Sequence, residues 1–125
     1  MAATKEDAQL VVQIAQLGSQ MADPKARGFI WGDSFVADAK GFFEKYPPGT
    51  REWDYVGGVA AWYETIGTLW KHGLIDEELL FDWLYAAGVW ERLGPILVAM
   101  REASPALWTN FEAMAEAQVK RLKPA

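Results

Sequence analysis

The side chains of this sequence best suited to chemistry are its carboxylates and its one histidine. Glu112 and Glu116 stand four residues apart, so a helix projects both from one face, an arrangement that serves proton transfer or metal binding. A carboxylate-bridged metal pair in a helical bundle also needs Glu-x-x-His on two helices. His72 is the only histidine and Leu69 stands at that interval before it, so the pair reads as a solvated helix face. Asp76, Glu77, Glu78 and Asp82 form a second acidic group. They lack the alternating oxygen ligands and sixth-position glycine of a calcium loop, and helix capping accounts for the first three. Histidine is the side chain that ordinarily exchanges a proton near neutral pH. His72, however, precedes Gly73 in the pattern of a helix C-terminus, where a cation suits the macrodipole, and spacing gives it no partner.

Other chemistries are excluded more firmly. The absence of cysteine rules out disulfides, thiolate catalysis and cysteine-held zinc. There is no Gly-x-Gly-x-x-Gly, no phosphate loop and no Gly-x-Ser-x-Gly elbow. The serines are Ser19, Ser34 and Ser104, and a nucleophile among them would have to meet the single histidine through the fold. The sequence therefore predicts no catalytic residue, no metal and no cofactor.

The unusual feature is aromatic. Trp62, Trp83 and Trp90 lie on heptad stripes and are expected in a tryptophan-rich core, as is Trp108. Trp31, Trp53 and Trp70 fall off the strictest stripes. Tryptophan joins a large apolar body to a polar handle and is enriched at interfaces and in ligand pockets. These three are the candidates for a contact surface or a pocket.

The elements that must position these residues are all helical. Thr4 caps a first helix with Leu10, Ile14, Leu17 and Met21 on one face, ending near Ala22. Asp23-Pro24 opens a second reaching Trp31, and Gly32-Asp33-Ser34 interrupts it. Phe35, Ala39, Phe42 and Tyr46 mark a third, stopped by Pro47-Pro48-Gly49. Thr50 caps a long helix striped by Tyr55, Val59, Trp62, Ile66 and Leu69, widened by Val56, Tyr63 and Trp70, and ending at His72-Gly73. Gly57 and Gly58 inside it leave room for a neighbouring helix. Asp76 caps a run striped by Leu79, Trp83, Ala86, Trp90, Leu93, Leu97 and Met100, with a kink or junction expected near Glu91 because of Gly94-Pro95. Ser104-Pro105 opens the last helix, with Leu107, Trp108, Phe111, Ala115, Val119 and Leu122 facing inward. No segment alternates as a strand does. The fold expected is all-α, a compact bundle of five or six mostly antiparallel helices forming one domain over residues 1–125.

Composition agrees. A hydrophobic fraction of 51% supplies ample core, and charged residues make up 23%. The net charge of -5 opposes nucleic-acid binding, and the basic cluster Lys120, Arg121 and Lys123 suits a helix C-terminus. No signal peptide and no run of 18 apolar residues occurs, so no membrane contact and a cytoplasmic location are expected.

From Ile66 to Ala115 the chain contains Gly73-Leu74-Ile75-Asp76 opening a helix, Trp90-Glu91 ahead of Pro95, Arg101-Glu102, and Phe111-Glu112 before Ala115. In this C-terminal half it resembles a bacterial and phage-associated domain of unknown function, family 4760. The resemblance implies a small helical domain and carries over no catalytic residue. Three functional readings follow. The leading one is a non-enzymatic protein-contact module, pairing with itself as a homodimer or with another protein. The second is a binder of an apolar or aromatic small molecule in a tryptophan-lined pocket. The third is an enzyme using carboxylates with His72 or Arg101. Arg101 and Glu112 are polar members of the resembling motifs and are expected to form a structural ion pair across helices. Replacing either with alanine should then lower stability through one shared coupling; strictly additive losses in a double-mutant cycle of denaturation midpoints would remove the pair.

Overall fold

Residues 2–122 are described by a computed structural model, so Lys123 lies outside the described residues. Seven α-helices occur among them: α1 (Lys5–Met21), α2 (Ala26–Ile30), α3 (Ala39–Lys45), α4 (Arg51–Lys71), α5 (Glu77–Trp83), α6 (Ala86–Ala99) and α7 (Thr109–Leu122), with a 3-10 turn at Met100–Glu102. No described residue is in a strand, and the chain is all-α. No helix is long and apolar enough to cross a membrane.

Most helix starts are local chemistry. Thr4 and Asp7 form a reciprocal capping box on α1, and Asp7 reaches on to accept the Asp76 amide at 3.1 Å. Asp38, Thr50 and Asp76 each accept an amide from the first turn of α3, α4 and α5. Asp38 moves the start of α3 past Phe35, which is buried in the preceding turn rather than on the helix. α4 ends in a Schellman motif: Gly73, at φ +69°, donates to the Trp70 carbonyl and Leu74 to that of Leu69.

One break and one helix start fall elsewhere than the sequence predicts, and the helices among the described residues number seven rather than five or six. α6 runs unbroken through Pro95. Pro95 and Glu91 are both exposed, so water can serve the carbonyl that proline leaves unpaired. The break comes instead at Leu84 and Tyr85, whose extended backbone (ψ 126° and 73°) separates α5 from α6. The last helix starts at Thr109 rather than at Ser104-Pro105, because Trp108 adopts φ +63° and cannot lie in a right-handed helix.

α4 is the central element and packs against α1, α2, α6 and α7. Its buried residues are Val56, Ala60, Tyr63, Ile66 and Gly67, which keep Ile66 of the predicted stripe and its widening positions Val56 and Tyr63, and shift the centre of the face by about one residue. Small residues on α4 let backbones approach. A Cβ on Gly67 would sit 2.6 Å from the Asn110 carbonyl oxygen of α7, and one on Gly58 would collide with that of Met21. The core combines Phe35, Phe42, Tyr46, Tyr63 and Phe111 with Met114 and aliphatic side chains. No tryptophan is fully buried, so the expected tryptophan core is instead a shell of half-buried and exposed indoles. Trp83, on the predicted stripe, is 38% exposed. On α7, Val119 and Leu122 are exposed, and the inward position is taken by Gln118, at 2% exposure.

That glutamine closes the α5–α6 break. Its Nε2 donates to the Leu84 carbonyl at 2.6 Å and to that of Phe81 at 3.4 Å, while its Oε1 accepts the Ala87 amide at 2.9 Å. Tyr85 provides α6 with no side-chain cap, so α7 supplies one from across the core. α7 is capped in the same manner: Glu64 Oε1 of α4 accepts the Phe111 amide at 2.9 Å.

Gln118→Leu keeps the volume but strands these backbone groups, and should lower unfolding free energy by about 2–4 kcal/mol in urea titration. A paired glycine test reads the α4–α7 crossing. Gly67→Ala should destabilise by about 1–3 kcal/mol because it meets backbone. Gly57→Ala, with nothing within 4 Å, should stabilise by up to about 1 kcal/mol.

Candidate functional site

The same break at Leu84 and Tyr85 leaves an open groove of about 680 Å³ between the C-terminal half of α1, α2, α4 and the α5–α6 junction. Its walls are aromatic: Trp31, Trp62, Tyr63, Trp83 and Tyr85, with the buried Ile30 and Leu84 behind them. Asp23 and Arg27 are the charged residues among its lining.

Each wall is held by a separate device. The Trp62 indole donates to the Ile14 carbonyl at 2.8 Å and lies against Gly18, where a Cβ would stand 3.2 Å from the ring. Trp83 meets Trp62 edge-on, with centroids 6.1 Å apart at 86°. Trp31 follows α2, whose C-terminal carbonyls are bound from α6: Arg92 donates to Ile30 at 2.8 Å and to Gly32 at 3.3 Å. The Arg92 guanidinium also lies 5.9 Å from the Trp31 ring and 4.6 Å from that of Phe35. Tyr85 folds its ring over Gly88, in space that a Cβ there would occupy. Trp31 and Tyr85 are 53% and 59% exposed, and form the rim.

Tyr63 is the groove's buried polar group. Its ring stacks on Phe111 at 4.8 Å and 15°. Burial pushes its hydroxyl up to about 12, against the opposing pull of the Arg27 charge, so it remains a neutral donor at ordinary pH. It makes no hydrogen bond to a described residue.

The other candidates lie apart from the groove. Trp53 is half-buried against Phe43, with centroids 5.6 Å apart. The Trp70 indole donates to Glu77 at 2.9 Å, and Arg121 binds the other oxygen of that carboxylate at 3.0 Å. The Trp70 bond, with Arg121 beside it, holds the Glu77 carboxyl below its ordinary range despite some burial. Of the off-stripe tryptophans, only Trp31 reaches the groove. His72 is exposed at the C-cap of α4 and bonds to no described carboxylate. Glu116 is exposed, and no three His, Asp or Glu side chains gather as metal ligands among the described residues.

Arg101 and Glu112 meet at 2.9 Å, and Arg101 Nε donates to the Leu107 carbonyl at 2.8 Å. The guanidinium lies 5.8 Å from the Trp90 ring, which packs edge-on to Phe111 at 5.0 Å. This knot ties the turn before α7 to α6. Arg101 Nη2 and Trp108 Nε1 are buried within it without a partner.

Sequence reasoning missed Arg27, Tyr63 and Tyr85 as site residues. Trp31, at the C-cap of α2, and Trp83, in α5, come together only through the fold, and the heptad spacing of Trp83 pointed to the core instead. Tyr85 had no stripe to mark it.

No curated protein and no solved structure matches this chain. The family model for a domain of unknown function, DUF4760, matches residues 3–118, extending the likeness from the C-terminal half to most of the chain. The match takes in Trp90, Arg101, Phe111 and Glu112, which converge in one knot, and every helix that walls the groove. By that extent the chain belongs to the DUF4760 family.

Proposed function

We propose that this domain is a non-catalytic binding module that takes an apolar or aromatic small molecule in the groove beside Trp62. The carrying observation is a concavity of about 680 Å³ walled by three tryptophans and two tyrosines, with few polar groups. Ligand sites commonly have this size and this mostly apolar lining. Indoles set edge-on, as Trp62 and Trp83 are, offer two faces to a flat or aliphatic body.

The protein-contact reading has less support. Two of the tryptophans that motivated it, Trp53 and Trp70, are packed or hydrogen-bonded within the chain. Exposed Val12, Leu74 and Val98 sit on different elements, as isolated surface apolar residues commonly do, and Val119 with Leu122 makes only a small pair on α7. The enzyme reading loses support because His72 bonds to no described carboxylate and stands outside the groove.

Titration calorimetry with the neutral probe 2-naphthamide should show one site, and native mass spectrometry a monomer carrying one probe. Trp83→Ala should weaken binding by about tenfold, while Trp53→Phe should leave it unchanged. Equal loss in both variants, or none in either, would count against the groove; a dimer without added mass would restore the protein-contact reading.

A further inference from the structure

Two lining residues are poorly matched to a wholly apolar occupant. Tyr63 is 9% exposed, lines the groove, and has a hydroxyl without a hydrogen-bond partner among the described residues. Arg27 is exposed, forms no ion pair with a described carboxylate, and lines the same groove. An apolar ligand covering them would strip water from a phenol and a guanidinium and return nothing. We propose that the groove binds an amphipathic monocarboxylate: an aromatic or acyl body between Trp31, Trp62 and Trp83, with its carboxylate on Arg27 and the Tyr63 hydroxyl. The inference rests on the groove being the binding site, and specifies what fills it.

The donors fit that charge. Two carboxylate oxygens accept one charge-assisted bond from the guanidinium and one from the phenol. Tyr63 stays protonated and donating at neutral pH, where a carboxylic acid is ionised, because its burial disfavours the phenolate. A phosphate, with nearly two charges and three acceptor oxygens, would leave much of its demand unmet here. Asp23 lines the same groove, but one of its oxygens accepts the Lys25 amide at 2.8 Å. It forms no ion pair with Arg27, whose charge therefore remains for an incoming acid. The stack of Tyr63 on Phe111 fixes the ring, so the hydroxyl is presented without the entropy cost of ordering a mobile side chain.

The test compares acids with their neutral amides on the full chain: 2-naphthoate against 2-naphthamide, and decanoate against decanamide, by titration calorimetry at neutral pH. At least one acid is expected to bind about tenfold tighter than its amide, with the preference shrinking as salt is added. Arg27→Gln should erase most of that preference and leave amide binding intact. Tyr63→Phe, which retains the ring, should erase part of it, with thermal melts confirming that both variants fold. Equal affinity for acid and amide, or a preference that survives Arg27→Gln, overturns the carboxylate inference and leaves the groove reading standing. Failure of all four probes to bind overturns both.

Discussion

A chain that turns this often has many helix ends, and every end leaves backbone amides or carbonyls without partners. Gln118 meets that constraint at the most buried end of all. One primary amide both donates and accepts, so it can serve the carbonyls closing α5 and the amide opening α6 together. No aliphatic side chain could do this, and a carboxylate could not donate. Glu64 does the corresponding work for the start of α7, and Arg92 for the end of α2. In each case the polar group comes from a different helix. These bonds form only when distant segments have docked, so they couple local helix formation to tertiary packing.

The groove is a consequence of that arrangement. Were α5 and α6 one continuous helix, Leu84 and Tyr85 would be helical residues with their backbone groups satisfied within the helix. The extended pair instead turns the chain, and places Trp83, Leu84 and Tyr85 together along one side of the cavity. Arg92 fixes the opposite side by holding the end of α2, from which Trp31 projects. Stability and site therefore share the same polar contacts, and a rigid backbone surrounds the opening. Rigid walls suit a binding site, since less ordering is required when the occupant arrives.

What was legible in the sequence divides along the same line. Thr4, Thr50, Asp76 and Gly73 act on neighbours three or four residues away, and the sequence pattern locates them correctly. The caps from Gln118, Glu64 and Arg92 span intervals of 31 to 62 residues, and nothing local marks them. A glutamine on a helix reads as surface, so the apolar stripe of α7 was drawn through Val119 rather than Gln118. The four-three phase from Leu79 to Met100 never slips in the sequence, yet it assumes one helix. Two extended residues reset the rotation, which is why Trp83 turns outward while Leu93 and Leu97 remain buried. Of the two alternatives at Gly94-Pro95, a kink or a junction, the junction is the one that fails, because an exposed proline leaves its orphaned carbonyl to water and the helix continues.

The buried aromatics are phenylalanines and tyrosines, and the tryptophans show why a tryptophan surplus need not mean a tryptophan core. An indole buried completely must find an acceptor for its N–H, and a helical interior has its carbonyls already engaged. Trp62 and Trp70 solve this at the edge of the core, using a carbonyl of α1 and the Glu77 carboxylate. Trp108 does not solve it: its N–H is buried without a partner among the described residues, on a residue held at φ +63°. The ion pair of Arg101 with Glu112 and its bond to the Leu107 carbonyl compensate for that cost and hold the turn in place. Trp31 and Trp83 take the remaining course, leaving part of the ring in solvent. Exposed apolar area carries a free-energy penalty of its own, and both rings face the same cavity. The apolar surface that the core could not absorb is thus gathered in the groove, where an amphipathic ligand would remove it from water.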